Sequence, residues 1–324
     1  MRPALSVIIP SYNRRELLAR CLRTLEQQTL AAGQFEVIVV LDGSTDGSRE
    51  ALTAQPLTFR PRVLSLSHAG AAAARNAGVE AAVGNICVFV DDDVLLEATG
   101  LAAHLAAHLQ RPEQVVVVGR LSTRSAHRGF PRYGDKYWEA IAERQVRRSQ
   151  TGKAGLHGGN MSMPRELARR FPFDTSIARL DDIELTARLE AAGISRIYSS
   201  KAAGVHLSPK TTTECLRDIF EEGSVSARLW KSGSGNSQSA SASIQSRLKA
   251  GSAFLISRVH LPGAVARAAG AVPEWLPAAG VLFRALRANA YLRGAASELR
   301  GFREWEEFLQ RDAAVPVHTN AGTT

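Results

Sequence analysis

The stretch that decides the fold is ICVFVDDDVL, residues 86–95, in which five apolar residues run directly into three consecutive aspartates. A short apolar run rich in Val and Ile is typical of a strand that is buried on both faces. The carboxylates that end this run, Asp91, Asp92 and Asp93, repel one another, and each favours water. The stretch therefore predicts a buried strand that ends at a site for a positive partner, such as a metal ion. The alternative interpretation is a solvated turn.

Three earlier segments show the same apolar character and predict further strands, at Leu5–Ile9, Phe35–Val40 and Val63–Leu66. Helical patterns separate them, and we expect helices after Asn13, over Gly70–Val83 and from about Glu97 to Leu109. Asn13 followed by Glu16 predicts a capping box at the start of the first helix. This alternation favours an α/β fold with a mostly parallel, doubly wound, Rossmann-like sheet flanked by helices.

Polar, turn-forming sequence follows three of the predicted strands, as PSYNR, LDGSTDGS and DDD. Ligands of open α/β sheets bind beyond the carboxyl ends of the strands. We therefore expect these three segments to line one edge of the sheet and to share one site.

The bulk composition predicts a cytoplasmic protein with a sizeable core. Of the 324 residues, 45% are apolar, yet no run of 18 apolar residues predicts a membrane span. The apolar run SVIIP is too short for the core of a signal peptide. Cys21, Cys87 and Cys215 lack metal-ligand spacing and read as reduced thiols.

The net charge of +9 is unevenly distributed. The segment Arg120–Lys153 contains nine Lys or Arg and three acidic residues, a local net charge of +6. This excess favours an anionic partner or is simply a solvated basic face. No recognised nucleic-acid-binding module is present, so we expect no nucleic-acid partner.

The second half of the chain reads less clearly. Val115–Gly119 predicts another strand, the basic stretch after it predicts helix and loop over the site, and Asp181–Ala192 predicts an amphipathic helix. We expect four parts: an α/β domain over 1–231 with halves at about 1–120 and 121–231, a flexible linker or loop over 232–245, a helical region over 246–310 and a disordered tail over 311–324.

Four segments in this order resemble the family 2 glycosyltransferases, which have the GT-A fold. They are SVIIPSYNRRELLARCLRTLEQQT, FEVIVVLDGSTDGS, GAAAARNAGVEAAVGNICVFVDDDV and GGNMSMPRELARRFPFD with LDDIELTARLEAAG. The resemblance covers roughly residues 4–230. It implies transfer of a sugar from a nucleotide-sugar donor to an acceptor hydroxyl, with inversion at the anomeric carbon.

The resemblance implies a nucleotide site at the ends of the first strands. Asp42 would be the partner of the base, usually uracil, although Leu41 stands where the family commonly has a first aspartate. The residues implied to bind the nucleotide are Pro10, Tyr12, Asn13, Asp42, Arg75, Asp91 and Asp92.

The resemblance also implies a divalent cation, Mn²⁺ or Mg²⁺, at the aspartate triplet. Asp93 would bind the metal, Asp91 would contact the ribose or the metal, and His206 would lie near the metal or the diphosphate. A metal there would neutralise the charge that develops on the leaving diphosphate.

The remaining implied residues serve the acceptor. Asp182 would be the general base and Asp181 its neighbour, where glutamate is commoner in the family. Both aspartates could instead simply favour a helix N-terminus. The pocket for the donor sugar and the acceptor would include Gly158, Gly159, Asn160 and Trp138.

The predicted helices near the C-terminus interleave apolar residues with arginines over residues 281–310. This pattern fits either a peripheral contact with an anionic membrane or a helix packed on the catalytic domain with its arginines facing water. The acceptor could be a glycan, a lipid carrier or a small metabolite. Two other readings remain open, a nucleotidyltransferase and a non-catalytic nucleotide-sugar-binding protein on the same fold.

Overall fold

The structure is a computed structural model that describes residues 2–54, 57–111, 114–177, 179–231, 268–269, 271–272 and 279–299. The side chains of residues 136–138 and 140–144 lie outside the described part, and with them the side chain of Trp138. The predicted linker over 232–245 and the predicted tail over 311–324 also lie outside the described residues.

Eight strands form one sheet. They are β1 (Leu5–Ser11), β2 (Phe35–Asp42), β3 (Arg62–Leu66), β4 (Ile86–Val90), β5 (Val94–Leu96), β6 (Val115–Ser125), β7 (Asn160–Pro164) and β8 (Ser195–Ser208). The order across the sheet is β3-β2-β1-β4-β7-β6-β8-β5. All four strands predicted in the first 90 residues are confirmed, and β5 is a short strand that the sequence analysis did not predict.

The described helices are α1 (Arg15–Glu26), α2 (Ser48–Ala54), α3 (Ala71–Ala81), α4 (Gly100–Leu109), α5 (Phe130–Ser149), α6 (Arg165–Arg170), α7 (Asp181–Ala191), α8 (Thr212–Lys231) and α9 (Ala279–Ala296). A short 3₁₀ helix spans Ala32–Gln34. The predicted capping box at the start of α1 is wrong, because α1 begins with no side-chain cap. The amide oxygen of Asn13 instead accepts a hydrogen bond from the backbone N–H of Thr45 at 2.8 Å.

The sheet is parallel on one side and antiparallel on the other. β1 pairs in parallel with β2 and β4, and β2 with β3. β7 pairs antiparallel with β4 and β6, and β5 pairs antiparallel with β8. Because β1, β2 and β4 run in the same direction, their carboxyl ends reach one edge, as the sequence predicted.

Apolar side chains cover both faces of the parallel strands. Ile8, Ile38 and Phe89 pack in one hydrophobic cluster, together with side chains of α3, α6 and α7. Val7, Val39 and Val88 point to the opposite face and pack against α1 and α4. Burial on both faces explains why these strands read as nearly continuous apolar runs.

The chain divides into two compact units. The first comprises Met1–Arg124 and Gly134–Ser208, and it contains the sheet except for Ser125, the last residue of β6. The second comprises Ser125–Tyr133 and Pro209–Thr324. The sequence analysis assigned α8 to the catalytic domain, but α8 belongs to the second unit.

In the second unit, α8 packs closely against α9. The two helices cross at Gly223 and Gly294, where an added Cβ would lie 2.0 Å from the Tyr291 carbonyl oxygen and 1.7 Å from the Phe220 carbonyl oxygen, respectively. Phe283 and Leu292 of α9 are buried in the cluster that α8 and α9 share. Both alternatives offered for the C-terminal helices, membrane contact and packing on the catalytic domain, stay predictions. No described helix has both the length and the apolar composition that a membrane span requires.

Candidate active site

The carboxyl ends of β1 and β4 meet at the aspartate triplet. Asp92 is buried there, and its Oδ2 accepts a hydrogen bond from the Ser11 hydroxyl at 2.7 Å. Its Oδ1 lies 3.1 Å from Nη1 of Arg14. Burial raises the pKa of Asp92 to about 6, although Arg14 and the Ser11 hydroxyl oppose the rise. Both oxygens of Asp92, predicted to bind the nucleotide, therefore already have partners within the chain.

Asp93 is also buried, but its two oxygens differ. Oδ2 lies 2.7 Å from Nη1 of Arg14. Oδ1 has no hydrogen-bond partner among the described residues and lies 3.4 Å from Nε2 of His206 on β8. His206 reaches this position because β8 pairs with β5, in the register His206–Val94. The structure thus brings together Asp93 and His206, which are 113 residues apart in the sequence.

This pair fits a hard divalent cation that takes most of its ligands from elsewhere. Mg²⁺ and Mn²⁺ are commonly held by one or two protein ligands together with phosphate oxygens and water. The Oδ1 atom of Asp93, which is buried and accepts no hydrogen bond among the described residues, and the Nε2 atom of His206, 3.4 Å away, could supply two such ligands. Among the described residues, no three His, Cys, Asp or Glu side chains form a metal-binding group. Asp91, Asp93 and His206 thus form no three-ligand group among the described residues, and the contact predicted between Asp91 and the ribose or the metal stays a prediction.

An aromatic pair lies near the ends of β1 and β3. The ring centroids of Tyr12 and His68 are 4.2 Å apart, and both side chains are largely exposed. The backbone of His68 is left-handed, with φ of 59°. Asp42 is buried beside this pair, and its Oδ1 and Oδ2 accept hydrogen bonds from the N–H groups of Ala69 and Gly70 at 2.6 and 2.8 Å. These bonds hold the turn that begins α3.

Two further residues predicted to bind the nucleotide, Pro10 and Asn13, lie at or next to the carboxyl end of β1. Pro10 is buried within β1. Asn13 ties the turn after β1 to the turn after β2, because its N–H donates to Ser44 Oγ at 3.0 Å in addition to the bond from Thr45. Asn13 thereby fixes the loop in which Tyr12 lies.

Arg75 of α3 connects the aspartate triplet with α7. Its Nη2 lies 2.8 Å from Asp91 Oδ1, and its Nη1 lies 2.7 Å from Asp181 Oδ2. The guanidinium is buried and lies over the ring of Phe173, 5.3 Å from its centroid. Burial lowers the pKa of Arg75, but the two carboxylates outweigh this and hold it above its ordinary value. Arg75, which was predicted to bind the nucleotide, bridges two carboxylates in this structure.

The Gly158–Gly159 turn fits closely against these groups. A Cβ on Gly158 would lie 2.9 Å from Arg75 Nη2, and a Cβ on Gly159 would lie 2.8 Å from Asp91 Oδ2. Real Cβ atoms are essentially never found at such distances, so larger residues would displace the charged groups. A side chain at either glycine would therefore have to push aside the end of Arg75 or Asp91.

Asp181 and Asp182 open α7 after a residue with unusual backbone. Leu180 precedes them in the left-handed region, with φ of 61°. Asp182 Oδ1 accepts from the N–H of Ile183 at 2.8 Å, and Oδ2 accepts from the N–H of Gly158 at 3.2 Å. A carboxylate has about four acceptor sites, so these bonds leave room for a further hydroxyl donor.

The two aspartates of α7 differ in their electrostatics. Asp181 is held in the ion pair with Arg75, whereas no described Lys or Arg forms an ion pair with Asp182. Burial, followed by the charge of Asp181, raises the pKa of Asp182 to about 7. A carboxylate with a pKa near neutrality that can accept a hydroxyl proton suits general-base chemistry.

Asn160 lies below the site rather than in it. Its side chain is fully buried, and its Nδ2 donates to the carbonyl oxygens of Arg120 and Ala202 at 3.2 and 2.9 Å. Its Oδ1 therefore accepts from Nε2 of His104, at 2.9 Å. Asn160 was predicted in the pocket, but these contacts show that its side chain joins neighbouring strands. Trp138 lies in α5, and its side chain is outside the described residues.

Sequence reasoning missed two side chains at this edge, Arg14 and His68. Arg14 follows the predicted strand end, but its neighbour Arg15 offered the same residue type, so nothing in the sequence favoured one of them. His68 follows a strand in the segment LSHAG and carried no signal beyond this position.

Comparisons with known proteins identify the family to which the chain belongs. Residues 6–171, half of the chain, match the family Glycosyl transferase family 2. The ends of β1, β2 and β4, the aspartate triplet and the Gly158–Gly159 turn of this chain all lie within the matched residues. The chain belongs to glycosyl transferase family 2, as its sequence motifs indicated.

Two curated relatives illustrate the extent of the similarity. Validoxylamine A glucosyltransferase of Streptomyces hygroscopicus subsp. jinggangensis is 31% identical over 241 residues, which cover 65% of this chain and 57% of that protein. The chain thus spans little more than half of that relative's length. Glycosyltransferase AglE of Haloferax volcanii is 25% identical over 231 residues, covering 70% of this chain and 74% of that protein.

Solved structures show the same fold. Mannosyltransferase PcManGT from Pyrobaculum calidifontis, in complex with GDP-Man and Mn²⁺, has a TM-score of 0.60 at 22% identity and covers 92% of this chain and 87% of its own. S. aureus TarS in complex with UDP-GlcNAc has a TM-score of 0.56 at 18% identity, covering 92% and 91%. The protein therefore has the GT-A fold that was predicted.

Proposed function

We propose that the protein transfers a sugar from a nucleotide-sugar to an acceptor hydroxyl, with a divalent cation and with inversion at the anomeric carbon. The observation that carries this proposal is that the Gly158–Gly159 turn hydrogen-bonds to both segments: the Gly158 N–H donates to Asp182 Oδ2 at 3.2 Å, and the Gly159 carbonyl oxygen accepts from the Asp91 N–H at 3.3 Å. Family membership supports the reaction class.

The donor would lie along the edge formed by β1, β2 and β4. The Tyr12–His68 pair offers an exposed aromatic surface for the base, and Asp42 holds the turn beside it. Asp93 and His206 would hold Mg²⁺ or Mn²⁺. Such an ion supplies a Lewis acid that neutralises charge on a departing diphosphate.

Asp182 would act on the acceptor. Its carboxylate takes the proton of the acceptor hydroxyl as that oxygen forms a bond to the anomeric carbon. The bond from this carbon to the diphosphate oxygen breaks on the opposite face, and its electron pair leaves with the nucleoside diphosphate. A single displacement of this kind inverts the anomeric configuration and leaves no sugar on the enzyme.

UDP-sugars are the first choice of donor, because an aspartate at position 42 is usually a partner of uracil in family members. The structural neighbours carry GDP-Man in one case and UDP-GlcNAc in another, so the fold alone does not select the base. The relative named for validoxylamine A supports a small metabolite among the candidate acceptors, beside a glycan or a lipid carrier.

Calorimetric titration with UDP, GDP, CDP and dTDP, each with and without Mn²⁺, tests the donor site. We expect one nucleotide to bind with strong dependence on Mn²⁺, and Asp93→Ala to lose that dependence. Asp174→Ala is the matched control, since Asp174 lies on an exposed turn where its side chain hydrogen-bonds to Ser176, away from the aspartate triplet. Nucleotide affinity that is the same with and without Mn²⁺, and the same in wild type and Asp93→Ala, would contradict the proposed site.

Turnover of the matching nucleotide-sugar then tests the reaction. Release of nucleoside diphosphate supports glycosyl transfer, whereas release of pyrophosphate would indicate a nucleotidyltransferase instead. Binding without any turnover of donor, even with a broad acceptor mixture, would favour the non-catalytic reading.

A further inference from the structure

The aspartate triplet contains a cation of its own. Nη1 of Arg14 lies 3.1 Å from Asp92 Oδ1 and 2.7 Å from Asp93 Oδ2, so one nitrogen bridges two buried carboxylates. Asp92 is fixed in turn by the Ser11 hydroxyl. The middle aspartate of the triplet thus anchors Arg14 rather than a ligand.

This arrangement leaves Asp93 with a single open oxygen. Oδ2 belongs to the ion pair, and Oδ1, which has no hydrogen-bond partner among the described residues, faces His206. Asp93 can therefore ligate a metal through one oxygen only. A cation at Oδ1 would also lie a few ångströms from a guanidinium, and the two positive charges repel.

We propose that Arg14 is a positioning residue that holds Asp93 in one-oxygen ligation and keeps the affinity for a free divalent cation low, so that metal binds tightly only together with a nucleotide diphosphate. This inference rests on the proposed function, since it assumes that Asp93 and His206 hold a metal. The diphosphate brings both oxygen ligands and negative charge, which offset the positive charge of Arg14.

The environment of Arg14 suits this role. Its side chain is 38% exposed, whereas those of Asp92 and Asp93 are 5% and 6% exposed. The guanidinium therefore covers the carboxylates from the solvent side while the carboxylates stay fixed. A purely structural ion pair would stabilise the fold without setting the affinity for a metal.

The test is titration of the full chain with Mn²⁺, alone and with UDP or whichever nucleotide binds, followed by calorimetry and by the electron paramagnetic resonance signal of free Mn²⁺. For Arg14→Gln we expect the affinity for Mn²⁺ alone to rise about tenfold, because a repelling charge is removed and Oδ2 is released. The increase in Mn²⁺ affinity that nucleotide produces should therefore be smaller in Arg14→Gln than in wild type.

Arg15→Gln is the matched control. It removes the same charge from the same helix start, but Arg15 is exposed and forms no ion pair with the triplet among the described residues. Its affinity for Mn²⁺ should stay within about twofold of wild type. An equal rise in both variants would show a general charge effect and overturn the proposal.

The remaining outcomes separate this inference from the proposed function. No change or a decrease for Arg14→Gln, with metal-dependent nucleotide binding intact in wild type, overturns the role of Arg14 alone. No Mn²⁺ binding to wild type under any condition overturns both. Should Arg14→Gln fail to fold, Arg14→Lys keeps the charge and is expected to bind Mn²⁺ within about threefold of wild type. A tenfold rise in that variant overturns the proposal.

Discussion

Two arginines each bridge two carboxylates in this site, but their surroundings differ. The Arg75 side chain is 7% exposed and joins Asp91 to Asp181, whereas the Arg14 side chain is 38% exposed and joins Asp92 to Asp93. A buried arginine cannot leave its carboxylates without exposing uncompensated charge to a low dielectric. A half-exposed one can be compensated by water and salt. The comparison therefore predicts a rigid connection at Arg75 and an adjustable one at Arg14.

The largest effect should follow from removing Arg75. Arg75→Met leaves Asp91 and Asp181 without their cation, and we expect a loss of about 3–5 kcal/mol in the free energy of unfolding, together with loss of activity. Arg14→Met also leaves two buried carboxylates without their cation, but water already reaches the Arg14 guanidinium, so we expect a smaller loss of about 2 kcal/mol. Urea unfolding of both variants measures the difference, and equal losses would show that burial does not distinguish the two arginines.

The next largest effect concerns the aspartate that neither arginine pairs with. Asp182→Asn keeps the shape of the side chain but removes its ability to take a proton, so we expect kcat to fall about 10²- to 10⁴-fold. Steady-state kinetics with the donor identified above measure this. In wild type, kcat/KM should rise with pH up to about pH 7, the pKa of Asp182, because the base must be ionised.

A surface aspartate provides the control for this variant. Asp174→Asn should leave kcat within about twofold, since surface substitutions rarely have larger effects. If Asp182→Asn also kept most of its activity, Asp181 or another group would have to be the base, and the assignment would fail.

A smaller effect is expected where the glycine turn contacts the buried pair. Gly159→Ala places a Cβ 2.8 Å from Asp91 Oδ2, so Asp91 must shift relative to Arg75. We expect kcat/KM to fall about tenfold while the melting temperature changes little, because the end of a side chain moves more easily than backbone. Gly33→Ala, which has open space around the added Cβ, is the control for kinetics and melting.

The smallest expected effect is a pH dependence of stability that comes from Asp182, the aspartate that neither arginine pairs with. The pKa of Asp182 is about 7 in the folded protein, above the ordinary value of 3.8. The folded state therefore binds this proton more tightly, and its contribution to stability is complete below about pH 4 and is lost as the pH rises through about 7. Asp182→Asn lacks this dependence.

Urea unfolding between pH 4 and 8 measures this dependence as the difference between wild type and Asp182→Asn. The difference cancels the groups that the two proteins share. Wild type should lose stability relative to the variant as the pH rises. A constant difference would mean that Asp182 has an ordinary pKa in the folded protein.

Much of the first unit was readable from the sequence. The strands β1, β2, β3 and β4, the helix over Ala71–Ala81 and the meeting of three strand ends followed from apolar runs and helical periodicity. These features are local, because each depends on residues close in the chain. The short strand β5 lacked such a signal, since three residues are too few to show a period.

The sequence did not predict which side chains form ion pairs or hydrogen bonds with one another within the site. Arg14 and Arg15 are neighbours of the same type, yet only Arg14 reaches the triplet among the described contacts. Asn13 looked like a cap but bonds to the turn after β2. Each outcome depends on which loop the fold places opposite, and no local pattern carries that information.

The sequence by itself determined the parallel half of the sheet, the edge that carries the site and the family to which the chain belongs. Only the tertiary structure decided how the charges pair: Arg14 with Asp92 and Asp93, and Arg75 with Asp91 and Asp181. Apolar periodicity indicates which face of a strand or helix is buried, and it depends only on residues that are close together in the sequence. The ion pairs of these two arginines join residues 16 to 106 positions apart in the sequence. Their geometry exists only once the strands and helices have packed together.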